Sequence, residues 1–167
     1  ALELIVNRQS YLVERGAVVA HTLTRQSIEG VGLEGLARSM FDLTGKTVVV
    51  QDKRLKPIAQ AVATGMSQVW PEVLDALSSP SQLPEGLRDR RQAATLAGWR
   101  DQSLPGGLTR LVCPIVAKGM ARGYLSVIGA TGDLDALDQL VVEYGAAACA
   151  LEMAKAKAVS DAEKRAH

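Results

Sequence analysis

The chain has 167 residues, of which 47% are apolar and 22% charged, and its formal net charge is +1. This length suits one ordinary domain with a sizeable core and an appended helix. The apolar content excludes a disordered chain, and the small net charge gives no reason to expect that the whole chain binds nucleic acid or an anionic membrane. No apolar run approaches the roughly 20 residues of a transmembrane helix, and nothing at the N-terminus resembles a signal peptide. We therefore predict a cytoplasmic globular protein.

Residues that usually carry metal or redox chemistry are sparse. Cys113 and Cys149 lie on segments that look like core, which predicts reduced, buried thiols. His21 and His167 are far apart in sequence, and neither stands in a ligand-like cluster. The sequence therefore predicts no metal ion and no cofactor. Because it begins with Ala and stops inside a helical pattern, we also expect a fragment of a longer protein.

The first segment of the chain predicts two helices. Residues Leu2 to Ser27 contain no proline and carry apolar side chains near a seven-residue spacing. This pattern predicts a long helix that is marginal in isolation and needs a partner. Gly30 and Gly32 end it, and a short amphipathic helix follows from Leu33 to Leu43. Gly45 stands where a left-handed helix cap is expected.

Two hairpins are predicted by their strand and turn signals. The β-branched run Thr47 to Gln51 and the segment Pro57 to Ala61 indicate two strands joined by a turn. The proline predicts that the second of them is an edge strand. Further along, two apolar segments flank Lys118-Gly119, a pair that is typical of a tight hairpin turn.

The middle of the chain, residues 65–107, is irregular. Pro71 suits the first turn of a short helix from Trp70, and Pro84 suits that of another. A strand is predicted over Thr95 to Gln102. Strands that bracket such a segment predict an α+β fold. We expect one mainly antiparallel sheet, with long N- and C-terminal helices on one face and a variable helical segment over the other.

The last segment predicts a helix with heptad spacing. Leu137, Tyr144 and Leu151 recur every seven residues, and small residues between them allow another helix to approach closely. Asp133 is predicted as the N-cap of this helix. The Lys-, Ala- and Glu-rich stretch beyond Met153 has no obvious partner within one chain.

Two passages carry a resemblance to a known family. They are GLEGLARSMFDLTGKTVVVQD, a helix, glycine, strand and turn, and RLVCPIVAKGMARGYLSVIG, in which a proline and a glycine turn precede an apolar strand. Roughly from Gly32 to Lys155, the chain resembles a GAF-type sensor domain. More narrowly, it is similar to the GAF-like domains near the N-terminus of PucR-type (CdaR-like) bacterial transcription regulators. The resemblance implies a ligand pocket between the sheet and the middle segment, and a C-terminal helix-turn-helix domain that this chain does not contain.

We expect three overlapping parts. Residues 1–28 form an N-terminal helix for dimerisation and signalling, and residues 29–155 form the GAF-like sensor domain. Residues 134–167 form a C-terminal helix that overlaps the domain and extends towards a missing output domain. DNA would be reached only through that absent domain.

A sensing pocket needs a few directed polar groups in an otherwise apolar wall. Strand alternation places Tyr124 and Ser126 on one face of their strand, and indole and guanidinium groups suit a flat or anionic ligand. The candidates for binding an unidentified small molecule are Trp70, Trp99, Arg100, Cys113, Tyr124 and Ser126. The alternative is that both tryptophans anchor the core, that Cys113 is a small apolar filler and that Ser126 is bonded locally.

The two terminal helices predict a homodimer. We expect them to pair with their copies in a parallel helical bundle across a two-fold axis. The interface candidates are Ile5, Leu12, Val19, Leu137, Tyr144 and Leu151. The alternative is that the C-terminal helix only covers the back of its own sheet.

Together these features predict a ligand-sensing and dimerisation domain of a cytoplasmic transcription regulator, without membrane contact and not an enzyme. One alternative is a degenerate GAF-like module that serves only as a dimerisation scaffold. Another is a GAF-type methionine sulfoxide reductase, which would need exposed, activated cysteines with a resolving partner. Nucleic-acid binding by this segment would rest only on Arg88, Arg90 and Arg91, a run that is more typical of a solvated helix face.

Overall fold

The computed structural model describes the backbone of residues 2–166 and the side chains of residues 9–166. Its helices are α1 (Leu2–Glu29), α2 (Gly32–Thr44), α3 (Trp70–Ser78), α4 (Arg90–Thr95) and α5 (Ala136–Ala166). Its strands are β1 (Thr47–Asp52), β2 (Pro57–Ala61), β3 (Arg100–Leu104), β4 (Leu108–Ala117) and β5 (Met120–Ala130). Short 3₁₀ turns lie at Thr64–Met66 and Pro80–Gln82. None of the helices in the described range combines the length and apolar content that crossing a membrane requires.

The five strands form one antiparallel sheet in the order β2-β1-β5-β4-β3. The β4–β5 hairpin turns at Lys118 and Gly119, whose φ angles of 53° and 72° are the left-handed pair that such a turn requires. Pro57 begins the edge strand β2, where its missing N–H is tolerated. Gly45 caps α2 with φ 69°. These local predictions and the α+β fold are confirmed.

One face of the sheet, the helix face, packs against α2 and α5. Its apolar core joins sheet residues such as Leu125 and Val127 to Met40 of α2 and Val142 of α5. The packing is close at Gly145 of α5, where a Cβ atom would meet Met40 Sδ and would lie 2.9 Å from Leu125 Cδ2. Glycine is therefore required by the approach of α2 and β5 to this helix.

Helix α1 packs on α5 of its own chain. Gly16 lies beside Tyr144, and Ser27 Oγ donates a hydrogen bond to Glu152 Oε1 at 2.7 Å, so the two helices run parallel. Val19 is fully buried in the core of the helix face. The prediction that Val19 contacts a second copy is therefore wrong, because the partner that this stretch of α1 needs is supplied within the chain.

Other predicted interface residues of the terminal helices differ in exposure. Leu12 and Leu137 are half-buried. Tyr144 and Leu151 remain on the surface, at 42% and 49% exposure. Ile5 lies outside the residues whose side chains are described. The apolar stripe of α5 that is left for a partner is therefore narrower than the heptad pattern suggests.

The other face of the sheet, the cap face, is covered by residues 62–99, which we call the cap segment. Leu83 and Leu87 of this segment pack on Tyr124, while Val73 and Leu77 pack with Ile128. The variable helical segment thus covers the face opposite α2 and α5, as predicted.

Two boundaries within the cap segment differ from the predictions. The helix expected from Pro84 begins at Arg90, because Asp89 caps it by accepting hydrogen bonds from two backbone N–H groups of its first turn. Strand β3 begins at Arg100 rather than Thr95, because Gly98 turns the chain with φ 81° just before it.

Helix α5 starts later than expected, with Asp135 and not Asp133 at its N-cap. Asp135 Oδ1 accepts a hydrogen bond from Asp138 N at 3.1 Å, and Asp138 Oδ2 accepts one from Asp135 N at 2.8 Å. This reciprocal arrangement is a capping box, and it requires two acceptors three residues apart. Lys46 Nζ lies 2.9 Å from Asp138 Oδ2 and compensates the buried carboxylate, whose pKa is raised by burial.

A pair of helix glycines tests this packing. Gly145→Ala should lower the free energy of unfolding by about 1–2 kcal/mol, because the added methyl group overpacks the core more than it favours the helix. Gly16→Ala is the matched control, since its added Cβ would be 3.8 Å or more from its neighbours. That change should raise stability by about 0.5–1 kcal/mol. Urea denaturation measures both, and equal effects of the two changes would contradict the packing described.

Candidate ligand-binding site

A cleft opens between the β1–β2 turn, the 3₁₀ turn Pro80–Gln82 and the start of α4. We call it the basic cleft. Its volume is about 270 Å³, which is near the lower end for cavities that hold small molecules. Its lining residues are Lys53, Arg54, Leu55, Pro80, Ser81, Leu83, Arg88, Arg90 and Tyr124.

The charge of this cleft comes from four cationic side chains. Lys53, Arg54 and Arg88 are exposed, and Arg90 is half-buried. Within the part of the chain that the structure describes, none of the four forms an ion pair within 4.0 Å. The cleft therefore carries positive charge that no protein carboxylate pairs with directly.

The two acidic residues next to these cations are engaged by the backbone. Asp52 Oδ1 accepts hydrogen bonds from two N–H groups of its own turn, at 2.8 and 2.9 Å. Asp89 Oδ1 accepts two from the first turn of α4, at 2.9 and 3.2 Å. Both carboxylates are thus held in local caps, which stabilise the turn and the helix, and neither forms an ion pair with a cation of the cleft.

A buried side-chain amide on β1 holds the β1–β2 turn in place. Gln51 Nε2 donates hydrogen bonds to the backbone oxygens of Leu55 and Leu77, at 2.8 and 2.9 Å. It thereby ties both the turn and α3 to β1. Leu55 has φ 68°, a conformation that costs a non-glycine residue about 1–2 kcal/mol, and its buried side chain keeps it there. The turn is therefore fixed where it presents Lys53 and Arg54 to the cleft.

Two further side chains bind the cap segment to β5. Tyr124 Oη donates a hydrogen bond to Leu87 O at 2.8 Å, and burial raises the pKa of this phenol, so it remains a donor at neutral pH. Arg90 Nε donates to Ala121 O at 2.8 Å. Arg90 Nη2 is buried, and it has no partner among the described residues. Arg90 is thus anchored by one nitrogen and retains donors that are not used by the protein.

More polar groups are buried on the cap face beyond the basic cleft. Arg110 and Ser126 are both fully buried. Arg110 Nε donates to Gln102 Oε1 at 2.7 Å, but its Nη1 and Ser126 Oγ find no partner in the described part of the chain. Burial lowers the pKa of Arg110 to about 10. A buried guanidinium without a carboxylate destabilises the fold, and such groups are typical of functional sites.

The six residues predicted to bind a ligand do not come together. Tyr124 and Ser126 lie on the cap face, and Trp70 packs half-buried on the same side. Cys113 and Trp99 belong to the core of the helix face. The prediction that they share a cavity with Tyr124 is therefore wrong, because the sheet lies between them.

The register of β4 and β5 explains the position of Cys113. Cys113 pairs with Leu125, and Pro114 pairs with Tyr124. Residues that pair across antiparallel strands share a face, so Cys113 points towards α5 with Leu125. Arg100 lies on the edge strand β3, where its Nη1 donates to the backbone oxygens of two preceding residues at 3.0 and 3.4 Å.

The two cysteines give no support to a reductase. Burial raises the pKa of Cys113 and of Cys149 to about 12, so neither thiol ionises appreciably at neutral pH. A methionine sulfoxide reductase needs an exposed thiolate. Neither Cys113 nor Cys149 therefore favours the chemistry of a methionine sulfoxide reductase.

The cations of the basic cleft were not among the predicted ligand residues. The available signals were the pair Lys53-Arg54 and the run from Arg88 to Arg91, which the sequence assigns to a turn and to a solvated helix face. Each of these two segments is an ordinary surface feature when taken alone. Whether their side chains line one cleft depends on the path of the cap segment, which no local sequence pattern reveals.

Comparisons with known proteins bear on the fold. No family model and no curated protein matches the chain. Among solved structures, the chain is similar to MglB with tetrameric arrangement, with a TM-score of 0.55 and 13% identity over 79% of this chain and 90% of that one. It is also similar to the gliding protein MglB from Thermus thermophilus (TM-score 0.45, 10% identity, 78% and 90% covered). A third is the C-terminal domain of a putative transcriptional regulator from Vibrio cholerae (TM-score 0.45, 12% identity, 71% and 93% covered).

At such low identity, the likeness to the tetrameric MglB concerns the fold alone, and it agrees with the α+β architecture described above. None of the three is described as a PucR-type regulator, so that narrower resemblance remains a prediction.

The buried guanidinium of Arg110 generates a stability prediction. Arg110→Met should raise the free energy of unfolding by about 1–3 kcal/mol, because it fills a similar volume without burying a charge. Arg110→Ala should lower it, since the shorter side chain leaves a cavity. Thermal and urea denaturation of both variants test this. A loss of stability in Arg110→Met as large as in Arg110→Ala would show that the guanidinium itself supports the fold.

Proposed function

We propose that the chain is the ligand-sensing and dimerisation domain of a cytoplasmic transcription regulator. A small molecule binds in the basic cleft, and the response reaches DNA through an output domain outside this chain. The observation that carries this proposal is the construction of the cleft. One of its walls belongs to the cap segment, which is attached to the sheet by apolar contacts and by side-chain hydrogen bonds from Gln51, Arg90 and Tyr124. In this proposal, a ligand that contacts this wall changes the position of the cap segment.

A short connection from the cap segment to α5 supports this mechanism. Leu96, just after α4, packs on the cap face, whereas Trp99 packs in the core of the helix face. Between them lies Gly98, where a Cβ atom would be 2.9 Å from Oε1 of the exposed Glu143 side chain on α5. In this proposal, a displacement of α4 is passed to the helix face through these few residues at the edge of the sheet.

Dimerisation in this proposal uses the surface of α5 that its own chain leaves open. Tyr144 and Leu151 are exposed one heptad apart, and the helix continues past Met153 as an exposed extension. Apolar residues at a seven-residue spacing are suited to a second helix. The buried part of α1 takes no part in this interface.

The proposal includes no catalytic activity. The remaining alternative is a dimerisation scaffold that has lost the ability to bind a ligand. The melting temperature distinguishes a sensing domain from a scaffold. A ligand that binds the native state of a sensing domain raises its melting temperature by mass action, whereas small molecules leave the melting temperature of a scaffold unchanged.

A thermal-shift screen with a metabolite library tests ligand binding. We expect at least one compound to raise the melting temperature by about 2 °C or more at saturating concentration. Ser81→Trp, which places an indole in the basic cleft, should abolish this shift. Ser78→Trp is the matched control, because Ser78 is exposed on α3 and does not line the cleft. A library without any stabilising compound would favour the scaffold.

Light scattering tests the dimer. The chain should be dimeric at tens of micromolar, and Leu151→Glu should shift it to a monomer by placing a charge in an apolar interface. Ile58→Glu makes the same chemical change on the edge strand β2, at a residue that is 37% exposed, and should leave the dimer intact. A wild-type monomer at this concentration would refute this part of the proposal.

A further inference from the structure

We propose that the ligand of the basic cleft is a small polyanion, a phosphorylated or polycarboxylate molecule held by Lys53, Arg54, Arg88 and Arg90. The inference rests on the proposed sensing function and specifies the chemistry of its ligand. It follows from how Arg88 and Arg90 are anchored, from the lack of an ion pair to any of the four cations among the described residues and from the size of the cleft.

Two of the arginines are positioned before any ligand arrives. Arg88 donates from Nε to Leu83 O at 3.0 Å and from Nη2 to Ser81 O at 2.9 Å. Arg90 donates from Nε to Ala121 O at 2.8 Å. A guanidinium has five N–H donors in a fixed plane, so each arginine retains donors after these bonds are made. Immobilised donors lose little conformational entropy on binding, which favours a bidentate oxyanion.

Arg90 contributes a further observation. Its Nη2 is buried and has no hydrogen-bond partner among the described residues. A buried donor destabilises the protein while it is unpaired. Because Arg90 lines the basic cleft, an oxyanion bound there would balance the charge of its guanidinium.

Lys53 and Arg54 supply charge from the opposite side of the cleft. Their side chains form no hydrogen bonds within the described residues, and the turn that carries them is fixed by the buried Leu55. The carboxylates adjacent in sequence, those of Asp52 and Asp89, each accept two backbone hydrogen bonds and form no ion pair with the four cations within the described residues, so the cations keep donors for a ligand. Four positive charges suit a ligand with more than one negative charge.

The dimensions of the cleft favour a small molecule over a nucleic acid. A volume of about 270 Å³ suits a compact metabolite. Leu55, Leu83 and Pro80 provide apolar wall for a short carbon skeleton. Among the described residues that line this cleft, the one aromatic residue is Tyr124, which is 1% exposed and cannot serve as a platform on which bases stack.

Isothermal titration calorimetry of the full chain tests the inference, with pyrophosphate and citrate as probes at an ionic strength held constant with NaCl. Lys53→Ala/Arg54→Ala should weaken binding of the preferred probe at least tenfold, because two cationic contacts are lost. Lys56→Ala/Arg91→Ala removes the same charge from exposed residues that do not line the cleft. This control should change affinity by less than about twofold, since exposed charges at a distance are screened. Melting temperatures of both variants establish that they fold.

The two probes distinguish the source of the anion. Tighter binding of pyrophosphate assigns a phosphorylated ligand, and tighter binding of citrate assigns a polycarboxylate. Equal weakening by both double variants would overturn the inference, because the attraction would then be unspecific.

Other results would overturn the inference in ways that separate it from the proposed function. If neither anion binds but a neutral compound gives a shift that Ser81→Trp abolishes, the polyanion is wrong and the sensing function stands. If no compound of any kind binds, both fail. Salt-dependent binding of duplex DNA that Lys53→Ala/Arg54→Ala abolishes, without competition by either probe, would assign the cleft to nucleic acid instead.

Discussion

The buried amide of Gln51 is the polar contact that joins the β1–β2 turn and the cap segment to the sheet. The cap segment contains only short helices and 3₁₀ turns, so its own backbone hydrogen bonds cannot fix its path. Gln51 binds one carbonyl of the β1–β2 turn and one of α3 from a single position in β1. Tyr124 and Arg90 add a second attachment on β5. Together with the apolar packing of Leu55 and Leu83 on Tyr124, these side chains hold the walls of the basic cleft.

The two faces of the sheet differ in the side chains that they bury. On the helix face, the strands meet α2 and α5 through apolar side chains and close contacts such as that at Gly145. On the cap face, Arg110 and Ser126 are buried among apolar residues with hydrogen-bonding capacity that the described part of the protein does not use. Close apolar packing resists deformation on both faces. A buried polar group without a partner destabilises its surroundings, so Arg110 and Ser126 lower the stability of the cap face.

Local signals in the sequence were sufficient for much of the fold. The Lys118-Gly119 turn and the β-branched run of β1 each depend on neighbouring residues, and both predictions hold. The partner of α1 and the path of the cap segment depend on tertiary contacts, so periodicity could not supply them. Alternation also shows which residues of one strand share a face, but only the register relates two strands. Cys113 was misplaced for that reason, since it pairs with Leu125 rather than Tyr124.

The length of α5 separates a packed part from a projecting part. The helix has 31 residues and is therefore about 46 Å long. Its buried residues end at Glu152, which is bonded to Ser27 of α1, and the helix is exposed beyond Met153. This exposed extension, residues 154–166, projects about 20 Å from the domain. A bend of about 5° where the packing ends would displace the far end of the extension by about 2 Å.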